Sequence, residues 1–283
     1  PAAKASMFVG PGTPGSTTAT VADNGEGTLT ISWEAVTSAV NAGYFDQSGV
    51  TYRVVRMPDE KVLAENTAEL SVTDTYDPLG EFTVYTYEVT AIFGGMSSET
   101  VQTAPCAVGC LTLPYENSFA DESALNGFKI TGNPAWTPRS GTIYVGMSFD
   151  APLDSWLISP AVYLTAGSEY TLSVDLRSYS DDYEEKAEMF VGNAQAPEAM
   201  TQCVLERITV KSGKYQTYSR SFSVESSGLY YVGLHACSDA FNFNLFADNL
   251  KIGREVAVQS PGKVTDFVVT PGAAGAKTAT VRF

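Results

Sequence analysis

The chain contains a single histidine, His235. A serine or cysteine triad would have to take its general base from it. It stands in Tyr231-Val232-Gly233-Leu234-His235-Ala236-Cys237. With Val232, Leu234 and Ala236 turned to a core, His235 turns outward beside Tyr231 and Cys237, as a surface residue of a sheet. No Gly-x-Ser-x-Gly elbow, His-Glu-x-x-His pair or phosphate loop accompanies it. Carboxylates are plentiful, so counting alone leaves a glycosidase pair open. The densest run, Asp181-Asp182-Tyr183-Glu184-Glu185, reads as a solvated loop, with a surface cation or sugar contact as its alternative.

The outward faces of strands offer binding chemistry instead. In Tyr170 to Tyr179, Leu172, Val174 and Leu176 point inward, which turns Asp175, Arg177 and Tyr179 outward. In Ala187 to Val191 the outward pair is Glu188 and Phe190. If these strands neighbour the His235 strand, one face collects Asp175, Arg177, Tyr179, Glu188, Phe190, Tyr231 and His235. Aromatics with interspersed acids and a cation suit stacking and hydrogen bonding to a sugar, or a protein interface. A face covered by a loop or by an adjoining domain is the alternative. Trp136 and Trp156 read as core or rim anchors rather than platforms.

These side chains need strands to hold them, and the composition supplies strand formers. The 283 residues are 44% hydrophobic and 17% charged, with 15 Tyr and 14 Phe, enough for two ordinary domains. A net charge of −15 repels phosphate backbones and anionic lipid, so neither nucleic acid nor a membrane surface is an expected partner. The acidity is compatible with solubility outside a cell and with divalent cations. Cys106, Cys110, Cys203 and Cys237 permit two disulfides, one of them stiffening the Cys106–Cys110 loop; four free thiols is the alternative. No apolar run spans a bilayer, and the start at Pro1 suggests that a leader or earlier domains precede it.

Taken in order, residues 1–12 read as a linker. Leu29-Thr30-Ile31-Ser32-Trp33 alternates cleanly, Tyr52-Arg53-Val54 is a further strand, and Tyr85-Thr86-Tyr87-Glu88-Val89-Thr90-Ala91 puts Tyr85, Tyr87, Val89 and Ala91 on one face. Over residues 13–104 this pattern resembles a fibronectin type III domain. The resemblance implies a spacer or binding module, with Tyr85 as the tyrosine-corner residue whose hydroxyl caps a backbone group.

A second resemblance covers residues 105–255. Pro114-Tyr115-Glu116-Asn117-Ser118-Phe119, Asp154-Ser155-Trp156-Leu157-Ile158-Ser159-Pro160, Ser168 to Asp175, Tyr231-Val232-Gly233-Leu234 and Asp248-Asn249-Leu250-Lys251-Ile252 are similar to the strands of the cleaved-adhesin, or choice-of-anchor J, family. That family occurs in surface and secreted proteins of Bacteroidetes and has a jelly-roll sandwich related to MAM domains. The resemblance implies a structural calcium. Two departures stand against it: Ala120 and Asn249 occupy positions that are usually acidic. Glu116, Asn117, Asp121, Asp248 and Asn249 are the remaining candidate ligands for Ca2+. After a linker at Gln259 to Gly262, Val264 to Val269 and Thr278 to Phe283 read as the start of a further fibronectin-like domain, residues 256–283.

The expectation is therefore an all-β chain, an immunoglobulin-like fibronectin type III sandwich followed by a jelly-roll sandwich. Its expected function is non-catalytic adhesion or ligand binding in an exported, multidomain surface or secreted protein. The alternative is an accessory carbohydrate-binding module of a secreted glycosidase or peptidase. The expected partners are a host or surface glycan or protein and further domains of the same parent chain, without insertion into a membrane.

Overall fold

The computed structural model describes residues 10–24, 26–41, 43–254 and 268–282. Where apolar and polar residues alternate with period two, strands form. The first sandwich uses β1 (Ala19–Asp23), β2 (Thr28–Trp33), β3 (Thr51–Met57), β4 (Lys61–Thr67), β5 (Ser71–Thr75), β6 (Thr83–Phe93), β7 (Met96–Ser97), β8 (Val101–Gln102) and β9 (Cys106–Val108). One sheet runs β1-β2-β5; the other runs β4-β3-β6, with β7, β8 and β9 along the far side of β6. Leu29, Ile31 and Trp33 meet Val54, Tyr87, Val89 and Ala91 between the sheets.

One carboxylate pins this sandwich from within. Asp74 on β5 is buried and accepts from Arg56 Nη1 at 2.7 Å, Lys61 Nζ at 2.8 Å and the Tyr87 hydroxyl at 3.1 Å. The two sheets are thereby tied through a charge that has no water to turn to. Tyr85 does not fill the expected corner role: it lies beneath the Arg56 guanidinium, 4.2 Å from its ring centre. A backbone group is capped instead by Tyr52, whose hydroxyl accepts from Val36 N–H at 2.8 Å.

The junction is hydrogen-bonded along its length. Residues 106–108, expected to open the second domain, form β9 and pair with β6 of the first. Cys110 N–H then donates to Gly80 O, Phe82 N–H to Cys110 O, and Leu111 N–H to Ala161 O at 2.7 Å in the second sandwich. Gly109 makes the turn between them at φ +75°, where an added Cβ would lie 2.5 Å from Glu81 O. Phe82 leaves its own domain to pack on the second core. The proposed Cys106–Cys110 bridge is not formed, and all four cysteines are free thiols. Cys106 packs on the first core, whereas Cys110, beyond the left-handed glycine, points its thiol at Leu79 O.

The second sandwich comprises β10 (Tyr115–Asn117), β11 (Lys129–Thr131), β12 (Thr137–Pro138), β13 (Ile143–Val145), β14 (Ser155–Ile158), β15 (Val162–Leu164), β16 (Tyr170–Ser178), β17 (Glu185–Gly192), β18 (Gln202–Val210), β19 (Gln216–Phe222), β20 (Gly228–Ala236) and β21 (Leu245–Arg254). Its sheets run β12-β13-β21-β16-β19, with β10 also on β21, and β11-β14-β20-β17-β18, with β15 on β20. This is the expected jelly-roll class of two antiparallel sheets. Leu172, Val174 and Leu176 of one sheet face Met189, Val232 and Leu234 of the other. Trp136 is in this core and donates to Ser155 O at 3.1 Å.

In β21 the core residues are Leu245, Ala247, Leu250 and Ile252. The frame skips one position because the pairing with β16 shifts between Ser173 and Asp175, with Asn249 at φ +49°. This bulge puts Asp248 and Asn249 outside together.

Beyond residue 267, β22 (Val268–Pro271) and β23 (Ala279–Arg282) form an antiparallel hairpin. The remainder of the expected further domain, and the first residues of the expected N-terminal linker, lie outside the described residues. Among the described residues no helix is long and apolar enough to cross a membrane.

Burial raises the Asp74 pKa, but the bonds from Lys61 and Arg56 outweigh it and hold the carboxyl below its ordinary value. A depressed carboxyl stabilises the fold above about pH 4 and stops doing so as pH falls through the native value. Asp74→Asn is expected to lower unfolding stability in urea by about 3 kcal/mol at pH 7 and to flatten the loss below pH 4. Equal stability of variant and parent at pH 7 would refute the pinning role.

Candidate functional site

The outward residues predicted to share one face divide between two sheets. Asp175 and Arg177 lie on β16, with Tyr179 just beyond it, whereas Glu188, Phe190, Tyr231 and His235 lie on β17 and β20. The alternation was read correctly; β16 pairs with β19 and β21 rather than with the His235 strand. Opposite sheets of a sandwich turn their outer faces away from each other, so the collected set cannot act together.

The outer face of the β16 sheet carries two cross-strand rows. In the first, Tyr144 is opposite Phe246, and Phe246 is opposite Arg177. The Tyr144 and Phe246 rings stack at 5.7 Å and 29°. The Arg177 guanidinium lies 3.6 Å over Phe246 and 5.2 Å from the Tyr215 ring. The ring quadrupole favours the cation over this face, and Arg177 Nη1 donates to Ser178 O at 3.1 Å. Tyr215, 39% exposed, is steadied by a 2.6 Å contact between its hydroxyl and that of Thr142.

The second row is polar. Asp175 is opposite Asp248 on one side and Thr217 on the other. It accepts from Thr217 Oγ1 at 2.5 Å and from Asn249 Nδ2 at 2.9 Å. Burial, and then the nearby Asp175 charge, raise the Asp248 carboxyl above its usual range, against a backbone bond from Asn249 that lowers it. The face thus alternates an aromatic–guanidinium strip with carboxylates and an amide. Tyr179 stands apart, edge-on to Phe243 at 4.5 Å, with Tyr183 stacked on the same ring at 5.3 Å.

The outer face of the β17–β20 sheet is largely covered. Trp156 stacks on His235 at 4.1 Å and 7° and packs with Phe190, Tyr231, Ile158 and Met200 as a small second core. Gly233 makes this possible, because a Cβ there would meet Met200 Sδ at 3.0 Å. Tyr231 runs on into a cleft of about 160 Å³ between the two sandwiches, lined also by Asp23, Tyr76 and Gln195. His235 Nδ1 faces Glu188 Oε2 at 3.0 Å and Nε2 faces Asp154 Oδ1 at 3.1 Å. Both ring nitrogens are therefore engaged by carboxylates, as a hydroxyl-activating base would not be.

The candidate calcium ligands hold other partners in the structure. Glu116 pairs with Lys251 at 2.7 Å. Asn117 accepts from Phe119 N–H and donates to Ala124 O, which ties down the turn after β10. Asp121 caps the 3-10 turn 122–125 by accepting from Ser123 N–H. Asp248 and Asn249 stand with Asp175 instead. Tyr144, Phe246 and Tyr215 were missed by the sequence reading. The first two were available from the same alternation, between Ile143 and Val145 and between Leu245 and Ala247.

No protein-family model matches the chain, and no curated protein does. Among solved structures, the K1 cleaved adhesin domain of Lys-gingipain from Porphyromonas gingivalis W83 is similar over 51% of this chain and 100% of its own, at 14% identity and a TM-score of 0.40. The N-terminal cellulose-binding domain of β-1,4-glucanase C from Cellulomonas fimi is similar over 49% of this chain and 93% of its own, at 15% identity and 0.37. The CBM22-1 xylan-binding domain of Xyn10C from Paenibacillus barcinonensis is similar over 50% and 92%, at 11% identity and 0.35.

A carboxyl raised by folding destabilises the native state as pH climbs through its native value, and no longer does so below its unfolded value near pH 4. Asp248→Asn keeps an acceptor for Asn249 N–H while removing the charge beside Asp175. It is expected to raise the melting temperature at pH 7 by a few degrees, under about 1 kcal/mol, with the gain vanishing near pH 3. A loss of stability at pH 7 would show instead that the charge is needed.

Proposed function

We propose that this chain is a non-catalytic, extracellular adhesion or ligand-binding module, and that carbohydrate is taken up on the outer face of the β16 sheet. The observation that carries this reading is the Tyr144–Phe246–Arg177 row flanked by Tyr215, beside the Asp175–Thr217–Asn249 row. A pyranose ring has an apolar face and an equatorial belt of hydroxyls. Tyr144 and Tyr215 offer flat apolar contact and Arg177, lying over the buried Phe246, offers its guanidinium, and the polar row offers charged acceptors and an amide donor. Strands hold all of these groups except Tyr215, which stands one residue before β19, so little ordering entropy is lost on binding.

The resemblance of residues 105–255 to the cleaved-adhesin family and of residues 13–104 to fibronectin type III domains supports an exported modular protein. The engaged state of His235 supports the non-catalytic part. Service as an accessory carbohydrate-binding module of a secreted hydrolase uses the same face and differs only in what the rest of the parent chain does.

Retardation in native gels containing soluble xylan, β-glucan or mannan tests the face directly. The 283-residue chain is expected to be retarded by at least one of them, and Arg177→Ala and Tyr215→Ala to weaken that binding about tenfold, or 1.4 kcal/mol. Tyr163→Ala, an exposed aromatic on the other sheet, is the control. Retardation unchanged in both face variants, or lost equally in the control, would refute the assignment.

A further inference from the structure

Three side chains of different chemistry converge outside the proposed ligand face. Glu188 on β17, His235 on β20 and Cys237 just beyond β20 present a carboxylate oxygen, a ring nitrogen and a sulfur all within 4.8 Å of one another. They meet because Glu188 is the cross-strand partner of His235, and Cys237, two residues on, points to the same side. From this geometry we propose that Glu188, His235 and Cys237 form a binding site for a transition-metal cation of the zinc class.

The arrangement at His235 supports this independently. Each ring nitrogen faces a carboxylate oxygen, yet a neutral imidazole has only one N–H. At one of the two contacts a cation must stand between two lone pairs, and that cation is either a proton or a metal ion. A metal at Nδ1 requires the N–H on Nε2, where Asp154 Oδ1, which also accepts from Trp156 Nε1 at 2.9 Å, receives it. Nδ1 then turns its lone pair toward Glu188 and Cys237. A carboxylate holding the far N–H of a ligating histidine is the usual support for such a ligand. The stack on Trp156 fixes the plane of the ring.

The donor set selects the ion. A sulfur and an imidazole suit zinc or cobalt(II) and not calcium, which takes oxygen ligands. Tetrahedral zinc places its ligands about 3.3–3.8 Å apart, given metal–ligand distances of about 2.0–2.3 Å. The rotatable bonds of Glu188 and Cys237 supply the required contraction of up to about 1.5 Å. The fourth position is open to water. The bound thiol gives up its proton to solvent on binding. Burial, and then the Glu188 charge, push that thiol up to about 11 before any metal is present, while Arg207 and Lys186 pull it down. Arg207 Nε also holds Glu188 Oε1 at 2.9 Å and its guanidinium hydrogen-bonds the Cys237 thiol, so metal entry requires this side chain, 58% exposed, to swing its charge outward.

Titration of the reduced 283-residue chain with Co2+ reads the sulfur ligand through its thiolate-to-cobalt absorption in the near ultraviolet. One equivalent is expected to saturate the band, Zn2+ to abolish it by displacement, and Ca2+ to leave it unchanged. Cys237→Ser is expected to remove the band. His235→Asn and Glu188→Gln are expected to weaken binding at least tenfold, and Asp154→Asn about tenfold. Far-ultraviolet circular dichroism identifies any variant that fails to fold, in which case the remaining variants decide. A chain in which Cys106, Cys110 and Cys203 are all replaced by Ser keeps the band. Absence of the band in the parent chain, its persistence in Cys237→Ser, or unchanged affinity in both His235→Asn and Glu188→Gln would overturn the site.

Discussion

Parity governs this molecule. Along a strand, neighbouring side chains leave on opposite sides, and a core on one side decides which set is inward. β16 shows this without interruption: Tyr170, Leu172, Val174 and Leu176 are buried, and the residues between them are only half covered. Everything the second sandwich presents to a ligand follows from that division. A slip of one residue would put Arg177 into the core and Leu176 into water. The bulge at Asn249 is the one place in β21 where the frame is shifted, and it is what sets an amide and a carboxylate side by side next to Asp175.

The two outer faces of the second sandwich solve different problems. The β17–β20 sheet carries Trp156, Phe190 and Tyr231 outward, more apolar surface than a single exposed face tolerates, and the segment around Met200 and the first sandwich close over it. His235 lies at the border of this closed layer, where ring stacking and two carboxylates hold it. The β16 sheet carries fewer apolar groups outward, and one of them, Phe246, is already capped by Arg177. Its face therefore stays open without a hydrophobic penalty, and its aromatic groups are kept flat by their own neighbours.

Fold class was legible in the sequence because alternation is a local signal. Leu29 to Trp33, Tyr85 to Ala91 and Leu172 to Leu176 announce their inward residues unaided. Sheet membership is not local: whether the β16 segment borders the His235 segment depends on pairings across up to 84 residues, such as Tyr170 with Arg254, and nothing in either segment specifies it. That is why the individual outward assignments survived while the single collected face did not. The candidate calcium ligands have other partners for a related reason. Asn117 and Asp121 are residues that favour turns and caps, and backbone N–H groups close in sequence engage them first. Phe246 and Tyr144 were readable from parity, but their value as a strip appeared only once β13 and β21 were adjacent. The sequence reading placed both Cys237 and Glu188 beside His235, Glu188 on condition that its strand neighboured the His235 strand, and the β17–β20 register meets that condition.

The Gly109 junction bears on avidity. A flexible tether between modules lets each sample its own orientation, and engaging two sites at once then costs the entropy of ordering the intervening residues, about 1–2 kcal/mol for each backbone unit. Here β9 belongs to the first sandwich and Leu111 is already bonded to the second, so almost no residue is left to order. In a longer chain built from such pairs, successive ligand faces would stand at a set separation and azimuth. Multivalent gain would then go to arrays whose repeat matches that spacing and be lost on those whose repeat does not. Spacing, rather than the affinity of one face, would discriminate among surfaces.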